Sequence, residues 1–198
     1  MTSSNPHTNL RIAIACLHLT MVFGCGSESP IAQTEQPRTV AKTDPRVEKL
    51  LGGKAAVSLI ADLSQATTCT AYRIASFQSG QKPLPPTGKP QAIHGYPVTS
   101  NAVAIDDLSR ATLSKILGNP DTYLWDEAKA CEFLPGIALQ LAADSITLDI
   151  LICFSCDELV FYANGELAGH EDFDPRRADL LNVIKHLFPD DKKIQTLN

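Results

Sequence analysis

The sequence predicts an α+β domain in which antiparallel β-hairpins, or a meander, carry helices packed on one face. Three observations lead there. Apolar and other residues alternate with period two through residues 137–142 and 146–154. Asn164-Gly165 sits between two apolar runs, a strong two-residue hairpin signal. Helix-like patterns lie before and after this block, and antiparallel hairpins with helices packed on one face make an α+β domain.

Taken in order, residues 44–53, "DPRVEKLLGG", read as a short helix with Asp44 as N-cap, Pro45 in the first turn and Gly52-Gly53 as its end. Residues 54–66 place Val57, Ile60, Ala61 and Leu63 at near-helical spacing. "TCTAYRIASF" reads as a strand. Residues 78–97 hold five prolines and three glycines and are expected to form an exposed loop, because proline removes ladder donors. "DDLSRATLSKILGNP" is a helix capped by Asp106, with Leu108, Ala111, Ile116 and Leu117 as its apolar face and Gly118 and Pro120 as its stop. The last helix starts from Asp174 as cap and Pro175, and Leu180, Leu181, Ile184, Leu187 and Phe188 form its apolar stripe. Trp125 is expected to pack, and His186 sits in the last turn of that helix, where a cation is favoured.

Length and composition bound the function. A chain of 198 residues suits one modest domain plus extra segments. The formal charge is −5, and its basic residues near "DPRRAD" and "DDKK" are interleaved with acids, so a nucleic-acid surface is set aside.

The N-terminus addresses compartment. A polar stretch with Arg11 precedes the 13-residue, mostly apolar run Ile12–Gly24, too short to cross a bilayer as a helix and suited to a signal-peptide core. Val22-Phe23-Gly24-Cys25 follows. It resembles a bacterial lipoprotein signal, with an aliphatic residue three before the cysteine and a small residue just before it. The resemblance covers about 30 residues and implies cleavage before Cys25 and a lipid on that cysteine. An ordinary secreted protein and an uncleaved membrane anchor are the alternatives. Residues 26–45 are rich in Ser, Thr, Pro, Gln and Glu and read as a flexible tether. The expected layout is a signal over 1–24, a lipid-anchored tether over 25–45 and one domain over 46–198.

Four cysteines then remain: Cys69, Cys131, Cys153 and Cys156. Cys153-x-x-Cys156 admits three readings. A redox pair needs a thiol of lowered pKa, usually at a helix N-terminus, whereas this motif has strand-like flanks and the acids Asp157 and Glu158 beside it. A zinc or copper site needs four ligands, and completing one from Cys131, Cys69 or a histidine such as His94 or His170 follows no known spacing. A structural disulfide from Cys131 to Cys153 or Cys156 carries most weight and would stabilise by roughly 2–4 kcal/mol. Residues three apart on a straight strand face opposite ways, so Cys153 and Cys156 share a neighbourhood only if the chain bends at Phe154–Ser155. "GHEDFDP" groups His170, Glu171 and Asp172, a low-priority candidate for cation binding or acid–base work. No nucleophile elbow, H-E-x-x-H, phosphate loop or dinucleotide fingerprint is present, so no enzyme class is indicated.

The sequence therefore leads to an expectation of an exported, membrane-anchored protein of the bacterial envelope, binding or scaffolding another envelope protein or a wall component without a cofactor. The alternative is a thiol-redox or zinc- or copper-binding module at Cys131, Cys153 and Cys156.

Overall fold

Apolar alternation in the second half of the chain resolves into a six-stranded antiparallel sheet. The structure, a computed structural model, describes residues 43–75, 92–127, 129–144 and 146–198. The expected signal, Cys25 and most of the tether lie outside the described residues, as do residues 78–91 of the proline-rich stretch.

In chain order the elements are α1 (Pro45–Leu51), α2 (Lys54–Ala61), β1 (Thr68–Arg73), β2 (Ala92–Ile93), β3 (Tyr96–Pro97), β4 (Val103–Ala104), α3 (Asp107–Leu117), β5 (Ile137–Ala143), β6 (Ile146–Cys153), β7 (Glu158–Ala163), β8 (Glu166–Asp172), α4 (Arg177–Leu187) and α5 (Lys192–Gln195). The sheet order is β4-β1-β5-β6-β7-β8, and β2 pairs only with β3. Strands β5 to β8 form a meander. The expected α+β class, with antiparallel hairpins and helices on one face, is what the chain adopts.

Register sorts the sheet into two unlike faces. Ala71, Leu139, Ile150 and Phe161 are successive cross-strand partners and have no exposed surface. The helices pack on this row, and Leu180, Leu181, Ile184 and Leu187 of α4 and Phe188 at its end are buried with it, as the stripe predicts. One residue out of phase, Thr70, Gln140, Asp149 and Tyr162 form the matching row on the other face. A single-residue offset thus exchanges an apolar row for a polar one.

Local signals explain most boundaries. Asp44 accepts from the Arg46 N–H, and Gly52 ends α1 at φ +90°. A Cβ on Gly52 would come within 2.5 Å of the Ala163 Cβ, so the glycine serves both the turn and close packing of α1 on the β7–β8 hairpin. Asp106 accepts from the Ser109 N–H and hydroxyl and caps α3. Asn164 (φ +51°) and Gly165 (φ +86°) make the hairpin turn that their sequence predicts.

Several expectations are corrected. Leu108 is 74% exposed and Ala111 is exposed. The buried face of α3 is Ser109, Leu113, Ile116 and Leu117, the residues it turns toward α2 and α4, on which it packs. The second helix stops at Ala61, and a 3-10 turn over Leu63–Gln65 follows. Residues 92–97, expected within the exposed loop, form the β2–β3 hairpin, with Ile93 buried. Asp174 does not cap α4, the helix it is expected to start. It opens a 3-10 turn, Asp174–Arg176, and its carboxylate takes the Lys129 ammonium. His170, Glu171 and Asp172 of "GHEDFDP" belong to strand β8.

Candidate functional site

The cysteines gather where β6 turns into β7. Strand β6 ends at Cys153, Phe154–Asp157 form the turn, and Cys153 faces Glu158 as a cross-strand partner. The chain does bend at Phe154–Ser155, with Asp157 at φ +57° completing the reversal. Cys156 bonds Cys131, closing a loop of separation 25. Cys153 and Cys69 are buried free thiols.

Two cations clamp this turn. The Arg177 guanidinium donates to the Phe154 carbonyl at 2.7 Å, pairs with Asp157 and lies over the Phe154 ring. Lys129 donates to the Cys156 carbonyl at 3.0 Å and reaches Asp172 and Asp174. The acids beside the motif are thus answered: Asp157 by Arg177, and Glu158 by His170 Nδ1 at 3.0 Å. The charge of Asp157, part of the sequence argument against a reactive thiol here, is therefore offset by Arg177.

Cys153 Sγ accepts from the Leu134 N–H at 3.3 Å and lies 3.1 Å from Ser155 Oγ. The strip Cys131–Leu134 therefore runs along the turn, tied by a disulfide at one end and by Cys153 at the other. Cys69 differs. It sits in β1 on the helix-covered face, and burial pushes its thiol up, with only partial opposition from Arg110. Among the described residues, no group of three or more His, Cys, Asp and Glu side chains is placed to hold a metal ion.

Strand alternation separates the other predicted group. His170 and Asp172 share one face of β8, and Glu171 takes the opposite one, beside its cross-strand partner Leu159. Burial pushes the Glu171 carboxyl up, and Asp172 and Asp126 add to this. Trp125 packs against the core, where Tyr123 lies beside it, Arg46 covers its ring and its indole N–H donates to the Pro120 carbonyl. His186 Nε2 meets Asp106 Oδ2 at 3.0 Å, tying the end of α4 to the cap of α3.

Sequence reasoning missed a second constellation, on the open face. His94 holds φ +46° in the tight β2–β3 turn, a left-handed value uncommon outside glycine. Its Nε2 donates to Asp149 Oδ2 at 2.8 Å, and its ring stacks on Tyr162 at 3.6 Å. The Gln140 amide donates to the other Asp149 oxygen at 3.1 Å. This pairing pins the hairpin over a small apolar cluster of Tyr72, Ile74, Ile93, Val98, Ala138, Leu151 and Val160. Tyr96 and Phe133 meet edge-on beside it, 6.5 Å apart, so the hairpin and the disulfide-tied strip cover the same face. Burial pushes the Tyr96 phenol up, with Tyr162, Cys153 and Glu158 adding to it. The only sequence clue was His94-Gly95, a pair suited to a tight turn.

No protein-family model, curated protein or solved structure matches this chain.

Proposed function

We propose that the chain is an exported, lipid-anchored protein of the bacterial envelope, whose folded domain serves as a non-catalytic binding or scaffolding module for another envelope protein or a wall component. The observation that carries the reading is the Cys131–Cys156 disulfide. Such bonds persist in oxidising compartments and are rare in the cytosol. It agrees with the Val22–Cys25 resemblance and with a tether that would hold the domain off the membrane. His94, the most conspicuous titratable group on the open face, is committed to Asp149 and Tyr162, an arrangement that positions a hairpin.

The test is fractionation of cells expressing the full chain. Wild-type protein should incorporate labelled palmitate and sediment with membranes, and Cys25→Ser should lose both properties. Unchanged membrane association of Cys25→Ser would refute the lipid anchor. Binding is tested by co-sedimentation with purified wall sacculi and by crosslinking in intact cells. A second reading, a thiol-redox module, draws on one specific observation: the buried Cys153 thiol lies at the same turn as the disulfide.

A further inference from the structure

We propose that the β6–β7 turn is a thiol–disulfide exchange site, in which the Cys153 sulfur displaces Cys131 from Cys156. The product is a Cys153–Cys156 disulfide and an exposed Cys131 thiol. The inference deepens the thiol-redox reading and is independent of the lipid anchor.

The geometry supplies each part. One residue touches both sulfur centres: Ser155 Oγ lies 3.1 Å from Cys153 Sγ, and Ser155 O lies 3.8 Å from Cys131 Sγ. Cys153 and Cys156 bracket a single chain reversal, so a bond between them needs no strand to separate. Cys153 is buried, but Ser155 is exposed, and its hydroxyl gives the Cys153 proton a path to solvent. The Leu134 N–H supports negative charge on that sulfur. Cys156 is buried and its disulfide partner Cys131 is exposed, so the departing sulfur is the one already in water.

The step balances without an added oxidant or reductant. Cys153 gives its proton through Ser155 to water. Its electron pair forms the bond to Cys156 Sγ as the Cys131–Cys156 bond breaks. That bonding pair leaves on Cys131, which takes a proton from water. One disulfide and one thiol enter, and one of each leaves.

The consequence is mechanical as well as chemical. In the resting form the disulfide ties the strip Cys131–Leu134 beside the open face. After exchange the covalent tie lies within the hairpin turn, which Arg177 still clamps through Phe154 O and Asp157. The strip is released, and Cys131 presents a thiol that can attack a disulfide of another protein, forming a mixed disulfide and expelling that partner's thiolate.

The experiment maps linkages in the full chain, purified without reductant and held at a series of pH values before quenching with acid and an alkylating maleimide. Chymotrypsin cuts after Phe133 and Phe154 and so separates the three cysteines. The expected result is a gain of Cys153–Cys156-linked peptides and alkylated Cys131, matched by loss of the Cys131–Cys156 link, at constant total thiol. The rate should rise with pH, as thiolate attack requires. Cys153→Ser should abolish Cys131 alkylation while keeping the Cys131–Cys156 link, and Cys69→Ser should change nothing. Adding oxidised glutathione should place glutathione on Cys131 in the wild type and not in Cys153→Ser. A Cys131–Cys156 link that never yields Cys153–Cys156 at any pH would overturn the proposal. So would exchange that appears only in denaturant near the unfolding midpoint, since that reports the unfolded chain. Reversible reduction of Cys131–Cys156 by dithiothreitol, measured in parallel, addresses the broader redox reading and can succeed where exchange fails.

Discussion

On the helix-covered face Ala71, Leu139, Ile150 and Phe161 form a row with no exposed surface, whereas Thr70, Gln140, Asp149 and Tyr162 behind them are polar and half-buried. The first face is held by area, through many small contacts in no special geometry. The second has a smaller apolar cluster and is closed by point bonds: the His94–Asp149 pair, the His94–Tyr162 stack and the Cys131–Cys156 disulfide. Area responds to denaturant, whereas a disulfide responds to redox state. One domain can therefore keep its fold while the cover of one face changes.

The largest expected effect lies on the first face. Phe161 is fully buried, with Tyr123 edge-on at 6.3 Å, and Phe161→Ala should cost about 3–5 kcal/mol of unfolding free energy. Denaturant titration measures it. An equal cost for Tyr96→Ala, on the open face and half-buried, would break the distinction between the faces.

Next comes the staple. Reduction, or Cys131→Ser, should lower stability by roughly 2–4 kcal/mol through loss of the loop constraint. Hydrogen exchange sharpens the test. Amides near Leu134 should lose protection first, while those of Leu139 and Ile150 keep theirs. Uniform loss across both regions would show that the disulfide supports the whole fold and not one cover.

The pin on the hairpin should matter less. Asp149→Ala leaves His94 and Gln140 without their acceptor and should cost about 1–2 kcal/mol. Proton spectra of the Tyr162 ring, now stacked under His94, should report undocking of the hairpin before global unfolding. An unshifted Tyr162 ring in the variant would mean that Ile93 and Val98 hold the hairpin without the pair.

Legibility follows the same division. The covered face could be read because its signals are local: period-two alternation in β5 and β6, the Asn164-Gly165 turn and the Asp106 cap each lie within a few residues. Even there half of the α3 face differs, with Ser109 and Leu113 buried where Leu108 and Ala111 are expected, because the choice depends on how α3 packs on α2 and α4. The open face could not be read. Asp149 and Tyr162 meet through cross-strand register, and His94 reaches them from the separate β2–β3 hairpin. Strands β2 and β3 are two residues each, too short for a periodic pattern. "AGHED" lacks β-branched residues and becomes a strand because β7 offers it a ladder. The cysteine question could be posed from sequence as a bend at Phe154–Ser155. Its answer, Cys131 with Cys156 and Cys153 left as a thiol, needed the turn itself.

The smallest effect tests an exception on the covered face, where Glu171 lies beside Leu159. The direction of its shift sets it apart from the caps. Asp106 is held below the usual carboxylate range by the Ser109 N–H, with the Ser109 hydroxyl and His186 assisting. For Asp191 burial opposes, but the Ile194 N–H and Arg73 outweigh it. These two carboxylates add stability above their ordinary pKa, and that contribution is lost as pH falls through the lowered folded values. Glu171 has the opposite sign: its folded pKa is raised, chiefly by burial, so its ionisation destabilises the fold at neutral pH and ceases to do so as pH falls toward 4.5, its ordinary value. Glu171→Gln should therefore raise stability at pH 7 by a few tenths of a kcal/mol, screened because the group is only half-buried. The gain should vanish near pH 4. Paired melting curves at the two pH values measure it, and a variant less stable than wild type at pH 7 would mean that the Glu171 carboxylate is held by a favourable partner stronger than the burial that opposes it.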